Sequence, residues 1–189
     1  VWGEVNNFTI IILELTFTNK VVNLGKTTAM IKKELKIFVL EFGSIEELSE
    51  ADRKLILAAR KASENAYAPY SNFNVGAALI LENGTIIKGN NQENADFTDG
   101  LCAERVALFY ANANFPDKKV MTMAVSVKNQ NGLLAEPAKP CGSCRQAIVE
   151  TETRFNHPIK LILDGANKIM VVENGDSLLP FAFKPAALG

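Results

Sequence analysis

The chain has 189 residues, 48% of them hydrophobic, which is enough for one globular domain with a sizeable core and room for an extension. Its 20 basic and 21 acidic residues are mixed along the sequence and leave a net charge of -1, so there is no electrostatic footprint for a nucleic-acid backbone and the expected partner is a small molecule. The first apolar run, Ile10 to Leu13 between Glu4 and Glu14, is too short for a membrane helix or a signal-peptide core, so no membrane partner is expected.

Residues 1–29 are rich in Asn and Thr and hold no recognisable arrangement of catalytic residue types. Two readings stay open for them. Met30 before Ile31-Lys32-Lys33-Glu34 has the look of a natural start, which would make the preceding stretch non-native, whereas Ile10 to Phe17 has the β-branched composition of a genuine strand. The expected division is an N-terminal extension over residues 1–43, part of it open to being non-native or disordered, and a catalytic domain over residues 44–189.

Lys36 to Phe42 reads as a short strand ended by Gly43, and Ser44-Ile45-Glu46-Glu47 as a capping box opening a helix. Leu48, Leu55, Ile56 and Ala59 recur at helical spacing, and the helix is expected to run through Tyr67 and stop before Pro69. Phe73 to Leu81 and Thr85 to Gly89 flank Asn83-Gly84, the signature of an antiparallel hairpin on a primed turn. The pattern then alternates: helix from about Asp99 to Ala113, strand Val120 to Val127, helix Cys141 to Thr153, strands Ile159 to Leu163 and Lys168 to Val172, and a short helix near Asp176. Such an order predicts an α/β fold of three layers, α/β/α, around a mixed sheet of about five strands.

All three cysteines fall in two motifs, Cys102-Ala103-Glu104 and Pro140-Cys141-Gly142-Ser143-Cys144. An odd count with a Cys-x-x-Cys pair fits a disulfide framework poorly, so a reducing, cytoplasmic setting is expected. Three thiolates suit Zn²⁺ with one tetrahedral position left open for water, the arrangement of a catalytic metal site. Both motifs stand where a helix is predicted to begin, and the free amides there favour thiolate. Three thiolates around a divalent ion leave a net negative charge, so a neighbouring cation is needed; Arg105, and less strongly Arg145, are the candidates for hydrogen bonds to sulfur. Glu104 has two readings, a general acid and base beside the open position, or a carboxylate that merely complements a helix dipole.

The paired motifs resemble those of the zinc-dependent nucleoside and base deaminases, in which Cys or His, any residue, and Glu are followed downstream by Pro-Cys-x-x-Cys. Within that superfamily, residues 65–184 are similar to the small homotetrameric cytidine deaminases, through the run from Ala66 to Leu79 and through Asn90-Asn91-Gln92-Glu93-Asn94-Ala95. The resemblance implies hydrolytic deamination of cytidine and 2'-deoxycytidine to uridine and 2'-deoxyuridine with release of ammonia, in pyrimidine salvage. Zinc-bound hydroxide would attack C4 with Glu104 as proton shuttle, and one Zn²⁺ per subunit would be held by Cys102, Cys141 and Cys144. It further implies that Asn91 and Glu93 read the ribose hydroxyls, Phe73 lines the pyrimidine pocket, the Ala103 amide helps hold the base, and Phe183 reaches a neighbouring subunit's pocket in a homotetramer with shared active sites.

Phe97 stands where many relatives have tyrosine, so only packing is assigned to it. Two rival readings remain: a deaminase of a modified cytosine nucleoside such as blasticidin S, and a non-catalytic structural zinc protein or Cys-x-x-Cys redox module. His157, before Pro158 in a predicted loop, is read as a solvated surface residue.

Overall fold

The computed structural model describes residues 31–188, and its centre is one sheet in the order β1-β7-β6-β4-β2-β3, with β5 paired to β4. The strands are β1 Leu40–Phe42, β2 Asn74–Leu81, β3 Ile86–Asn90, β4 Val120–Asn129, β5 Gly132–Leu133, β6 Lys160–Leu163 and β7 Ile169–Val172. The helices are α1 Glu50–Ala62, α2 Ala103–Asn114 and α3 Gly142–Phe155. The candidate strand Ile10 to Phe17 and the candidate start at Met30 lie outside the described residues.

The sheet is mixed as expected, with β4 and β6 parallel and the other pairs antiparallel, but it has seven strands rather than about five. One addition is β1, which keeps only the last three residues of the run from Lys36 and closes an edge against β7 through Leu40 and Val171. The other is β5, two residues that fold back on Lys128 and Asn129 after a turn in which Gly132 takes φ 99. The run from Lys36 to Phe42 signals β1, whereas β5, with two residues, has no room for a periodic signal.

Alternation along the strands sorts the core into two faces. Ala78, Ala124, Ile162 and Val171 pack under Leu55, Ile56 and Ala59 of α1. Ala77, Leu79, Met123, Val125, Leu161 and Leu163 pack under Ala103, Ala107 and Leu108 of α2 and Ile148 of α3. The three-layer α/β/α arrangement follows directly.

Helix α1 begins later than its first capping signal and ends before Tyr67. Glu47 Oε1 does accept from the Ser44 amide at 2.9 Å, yet the turn it closes is a 3-10 turn, Ile45–Glu47. The α-helix starts where Ser49 Oγ accepts from the Asp52 amide at 3.2 Å, and it gives way at Ser63 to a 3-10 turn, Ser63–Asn65. The expected terminal helix near Asp176 is likewise a 3-10 turn, Asp176–Leu178.

Behind the sheet, Arg60 of α1 grips the fully buried carboxylate of Asp164 with two bonds of 2.8 Å, and Ser126 Oγ donates to the same carboxylate at 2.7 Å. This ties α1, β4 and the end of β6 together. The turn after Asp164 then supports the segment leading to Cys141, because Ala166 and Asn167 donate backbone hydrogen bonds to Leu134 and Ala135.

Close approach of the helices depends on two glycines. A Cβ at Gly76 would lie 2.0 Å from the Ala59 carbonyl oxygen of α1, and one at Gly89 would lie 2.5 Å from the Ala103 oxygen and 2.7 Å from the Ala107 nitrogen of α2. Gly89 therefore sets the height of the helix that begins at Cys102. Gly89→Ala is expected to lower stability by about 1–3 kcal/mol, the usual cost of overpacking a closed contact. Gly142→Ala, where a Cβ meets nothing within 4 Å, is expected to stay within about 0.5 kcal/mol of the parent. Urea unfolding of the two variants checks the contrast; equal midpoints would refute it.

Candidate metal centre and active site

The two cysteine motifs meet because their helices start side by side at one end of the sheet. Cys102 is the N-cap of α2 and Cys141 the N-cap of α3, both with extended backbone, and Cys144 lies in the first turn of α3. Cys144 is buried, Cys102 half-buried and Cys141 exposed, so the cluster opens toward solvent on one side. Its sulfurs lie within 4.8 Å of one another, with Cys102 to Cys141 at 3.7 Å and Cys141 to Cys144 at 3.4 Å.

These separations fit a metal ion. Three sulfurs at the usual Zn–S length of about 2.3 Å in a tetrahedron lie about 3.8 Å apart. The proton balance also fits. The Cys102 thiol is drawn down to about 5, chiefly by a hydrogen bond from Cys144, with Arg105 and Cys141 adding to it and burial opposing it. Cys144 is pushed up, first by that same bond to Cys102 and then by burial and by the Glu104 carboxylate. Neighbouring thiols thus share protons that a divalent cation would displace together.

Glu104, in the first turn of α2, is only 4% exposed. Burial pushes its carboxyl above the ordinary value, and the negative charge of Cys102 works in the same direction. It lines a cavity of about 830 Å³ together with Cys102, Cys141, Phe73, Asn91 and Glu93, so these residues read from sequence share one space, with Cys144 buried behind it. Ala103 is fully buried at the start of α2 beneath it.

Arg105 reaches the cluster as expected, with Nη2 3.9 Å from Cys102 Sγ and 3.2 Å from the Gly100 carbonyl oxygen; its Nε is buried without a partner. Arg145 does not. It turns to backbone, with Nε donating to the Pro140 oxygen at 2.8 Å and Nη1 to the Leu178 oxygen at 2.9 Å, which corrects the expectation that it touches sulfur.

The opposite wall is tied to the hairpin. Asn91 Nδ2 donates to the Phe73 oxygen at 2.9 Å and Asn91 Oδ1 accepts from the Val75 amide at 2.8 Å, so its side chain pairs with the start of β2. Glu93 accepts from the Tyr70 amide at 2.9 Å and the Ser71 amide at 3.3 Å, and also from the Ser71 hydroxyl. Those bonds, the Ser71 hydroxyl first, hold its carboxyl below the usual range.

Phe97 packs, as expected, meeting Tyr70 edge to face at 5.9 Å, and it does so on the cavity rim with 79% of its surface exposed. Phe183 is 60% exposed and does not line its own chain's cavity; its carbonyl oxygen accepts from Gln146 at 2.8 Å. Sequence reasoning missed Ser71, Tyr70 and Lys139 as lining residues. Ser71, inside the matching run from Ala66 to Leu79, carried a signal that could have raised it; Lys139, just before the second motif, carried little.

Residues 49–155 match the family model of the cytidine and deoxycytidylate deaminase zinc-binding region. The chain is 44% identical over 97 residues to a cytidine deaminase of Sporosarcina psychrophila, covering 51% of this chain and 67% of that protein. It is 42% identical over 100 residues to one from Halalkalibacterium halodurans, covering 52% of this chain and 71% of that protein. The crystal structure of cytidine deaminase from Burkholderia pseudomallei superposes with a TM-score of 0.60 at 36% identity, over 72% of this chain and 100% of that one. The matched region contains both thiol motifs and the helices that present them, and the chain belongs to the cytidine and deoxycytidylate deaminase zinc-binding family.

Proposed function

We propose that this protein deaminates cytidine and 2'-deoxycytidine, taking up water and releasing ammonia to leave uridine and 2'-deoxyuridine, in pyrimidine salvage. The observation that carries the reading is the buried Glu104 carboxylate lining the same cavity as the open side of the three sulfurs. Zinc held by Cys102, Cys141 and Cys144 would supply a water acidic enough to serve as nucleophile near neutral pH. The protein's own groups do the rest. Glu104 takes a proton from the attacking water and delivers it to pyrimidine N3, then takes the second from the hydroxyl newly added at C4 and passes it to the amino group, which leaves as ammonia, the work of a general acid and base.

The pyrimidine lies against Phe73 with its edge toward the Ala103 amide, and the sugar hydroxyls face Asn91 and Glu93. Arg105 offsets the negative charge of the thiolates. We read residues 44–189 as the catalytic unit, with β1 as the edge strand contributed by the extension over residues 1–43. The active assembly is a cytoplasmic homotetramer in which Phe183 enters a neighbour's cavity; the exposure of its ring, outside its own cavity, supports that reading.

Glu104→Gln is expected to keep about one zinc per chain and to lower cytidine turnover by about 10²–10⁴-fold, the usual share of a general acid and base. Ultraviolet assay with metal analysis checks both, and a variant retaining parent turnover would overturn the role of Glu104. Removal of zinc by chelation should abolish turnover in the parent, and added Zn²⁺ should restore it. Sedimentation is expected to give a four-chain assembly, and Phe183→Ala to raise KM for cytidine; a fully active monomer would refute the shared site.

A further inference from the structure

One face of α3 carries a set of contacts that the reaction does not use. Arg145, Gln146 and Glu152 all point from it to the chain after β7. The Glu152 carboxylate, buried and without an ion pair among the described residues, accepts from the Gly175 amide at 2.7 Å and the Asp176 amide at 3.1 Å, and also from the Ile159 amide at 2.7 Å. Gly175 fits so closely that a Cβ there would lie 2.3 Å from Ile148 Cγ2. Arg145 then takes the Leu178 carbonyl, Gln146 takes the Phe183 carbonyl, and Lys184 pairs with Asp176 at 2.7 Å. The tail from Gly175 to Lys184 is therefore held at both ends by α3 or by its own ion pair.

The same Arg145 guanidinium also holds the Pro140 carbonyl, one residue before a metal ligand. A planar fork spans two carbonyls at fixed separation, which a single ammonium does not. Moving the Cys141 loop therefore moves the donor on which Leu178 depends, and the reverse also holds.

We propose that Arg145 is a positioning residue that couples the loop carrying Cys141 to the C-terminal tail carrying Phe183, with Glu152 as the fixed point of that tail. The coupling rests on the reading of Cys102, Cys141 and Cys144 as zinc ligands, and it is independent of the substrate. Two linked effects follow, since coupling between sites is reciprocal. Loss of the fork loosens the metal loop, and loss of the metal loosens the tail.

The test uses the full zinc-loaded protein, with zinc content measured first. Arg145→Lys should release zinc to a chromogenic chelator about 10-fold or more faster than the parent, in line with groups that orient metal ligands from behind. Glu152→Gln keeps the size of the side chain and should speed release less. In the parent, hydrogen exchange before and after chelation should show loss of protection at Leu178, Leu179 and Ala182, whose amides bond within the tail, while Leu161 to Leu163 of β6 stay protected. In Arg145→Lys the tail should be poorly protected with or without zinc.

Zinc release from Arg145→Lys within twofold of the parent would overturn the coupling. So would tail exchange in the parent that ignores zinc, or protection lost evenly across the sheet. The parent measurement stands even if Arg145→Lys does not fold. A parent that binds zinc but does not deaminate cytidine would defeat the proposed function and leave the coupling standing, whereas failure of the coupling would leave deamination untouched.

Discussion

Three sulfur atoms must lie within bonding reach of one metal ion, and they come from two helices whose starts are 39 residues apart in sequence. Nothing local brings them together. Cys141 and Cys144 share a turn of α3, but Cys102 arrives only if α2 lies beside α3 on the same face of the sheet and at the right height above it. The height comes from Gly89, whose missing side chain lets the Ala103 and Ala107 backbone settle on β3. The lateral position comes from the shared core beneath the two helices, in which Ala107 and Leu108 meet strands that also pack Ile148. Arg60, Asp164 and Ser126 on the other side brace the turn behind the Cys141 loop. The fold thus converts hydrophobic burial, which has no direction, into the placement of three specific atoms.

Charge imposes the second constraint. Thiolates packed at these separations repel one another unless a cation lies among them, and without one a hydrogen bond between Cys144 and Cys102 draws the Cys102 thiol down and pushes Cys144 up. The two helix starts and Arg105 supply partial positive charge from the protein side. Glu104 sits beside the same cluster and is buried, so its carboxyl is driven toward the neutral form by the apolar surroundings and by the adjacent sulfur. One environment therefore draws the Cys102 thiol down and pushes the adjacent Glu104 carboxyl up.

The sequence made the long elements and the ligand set legible, and for the same reason. Periodicity over eight residues in β2 or thirteen in α1, and a Cys-x-x-Cys pair on one turn, are signals carried by near neighbours. What escaped notice was either too short or too distant in sequence. β5 has two residues, and the capping box at Ser44 closes only a 3-10 turn, the α-helix starting from Ser49. The partners of Arg145 lie 5 and 33 residues away and are backbone carbonyls, which no side-chain pattern announces. The edge-to-face contact of Phe97 with Tyr70 joins residues 27 apart in sequence, too distant for any local pattern to announce.

Recognition on the far wall is shaped by what the scaffold leaves over. An asparagine amide offers two donors and two acceptor positions. Asn91 gives one of each to Phe73 and Val75, which leaves one donor and one acceptor, the complement of a single hydroxyl. A carboxylate has about four acceptor positions. Glu93 fills three with Tyr70 and Ser71, so one acceptor remains, suited to a hydroxyl that donates. Both side chains are thereby fixed before any ligand arrives, and little rotamer freedom is left to lose on binding. The groups left free on this wall are few because the others are engaged in holding these in place, and that engagement is what gives the remaining ones a defined direction.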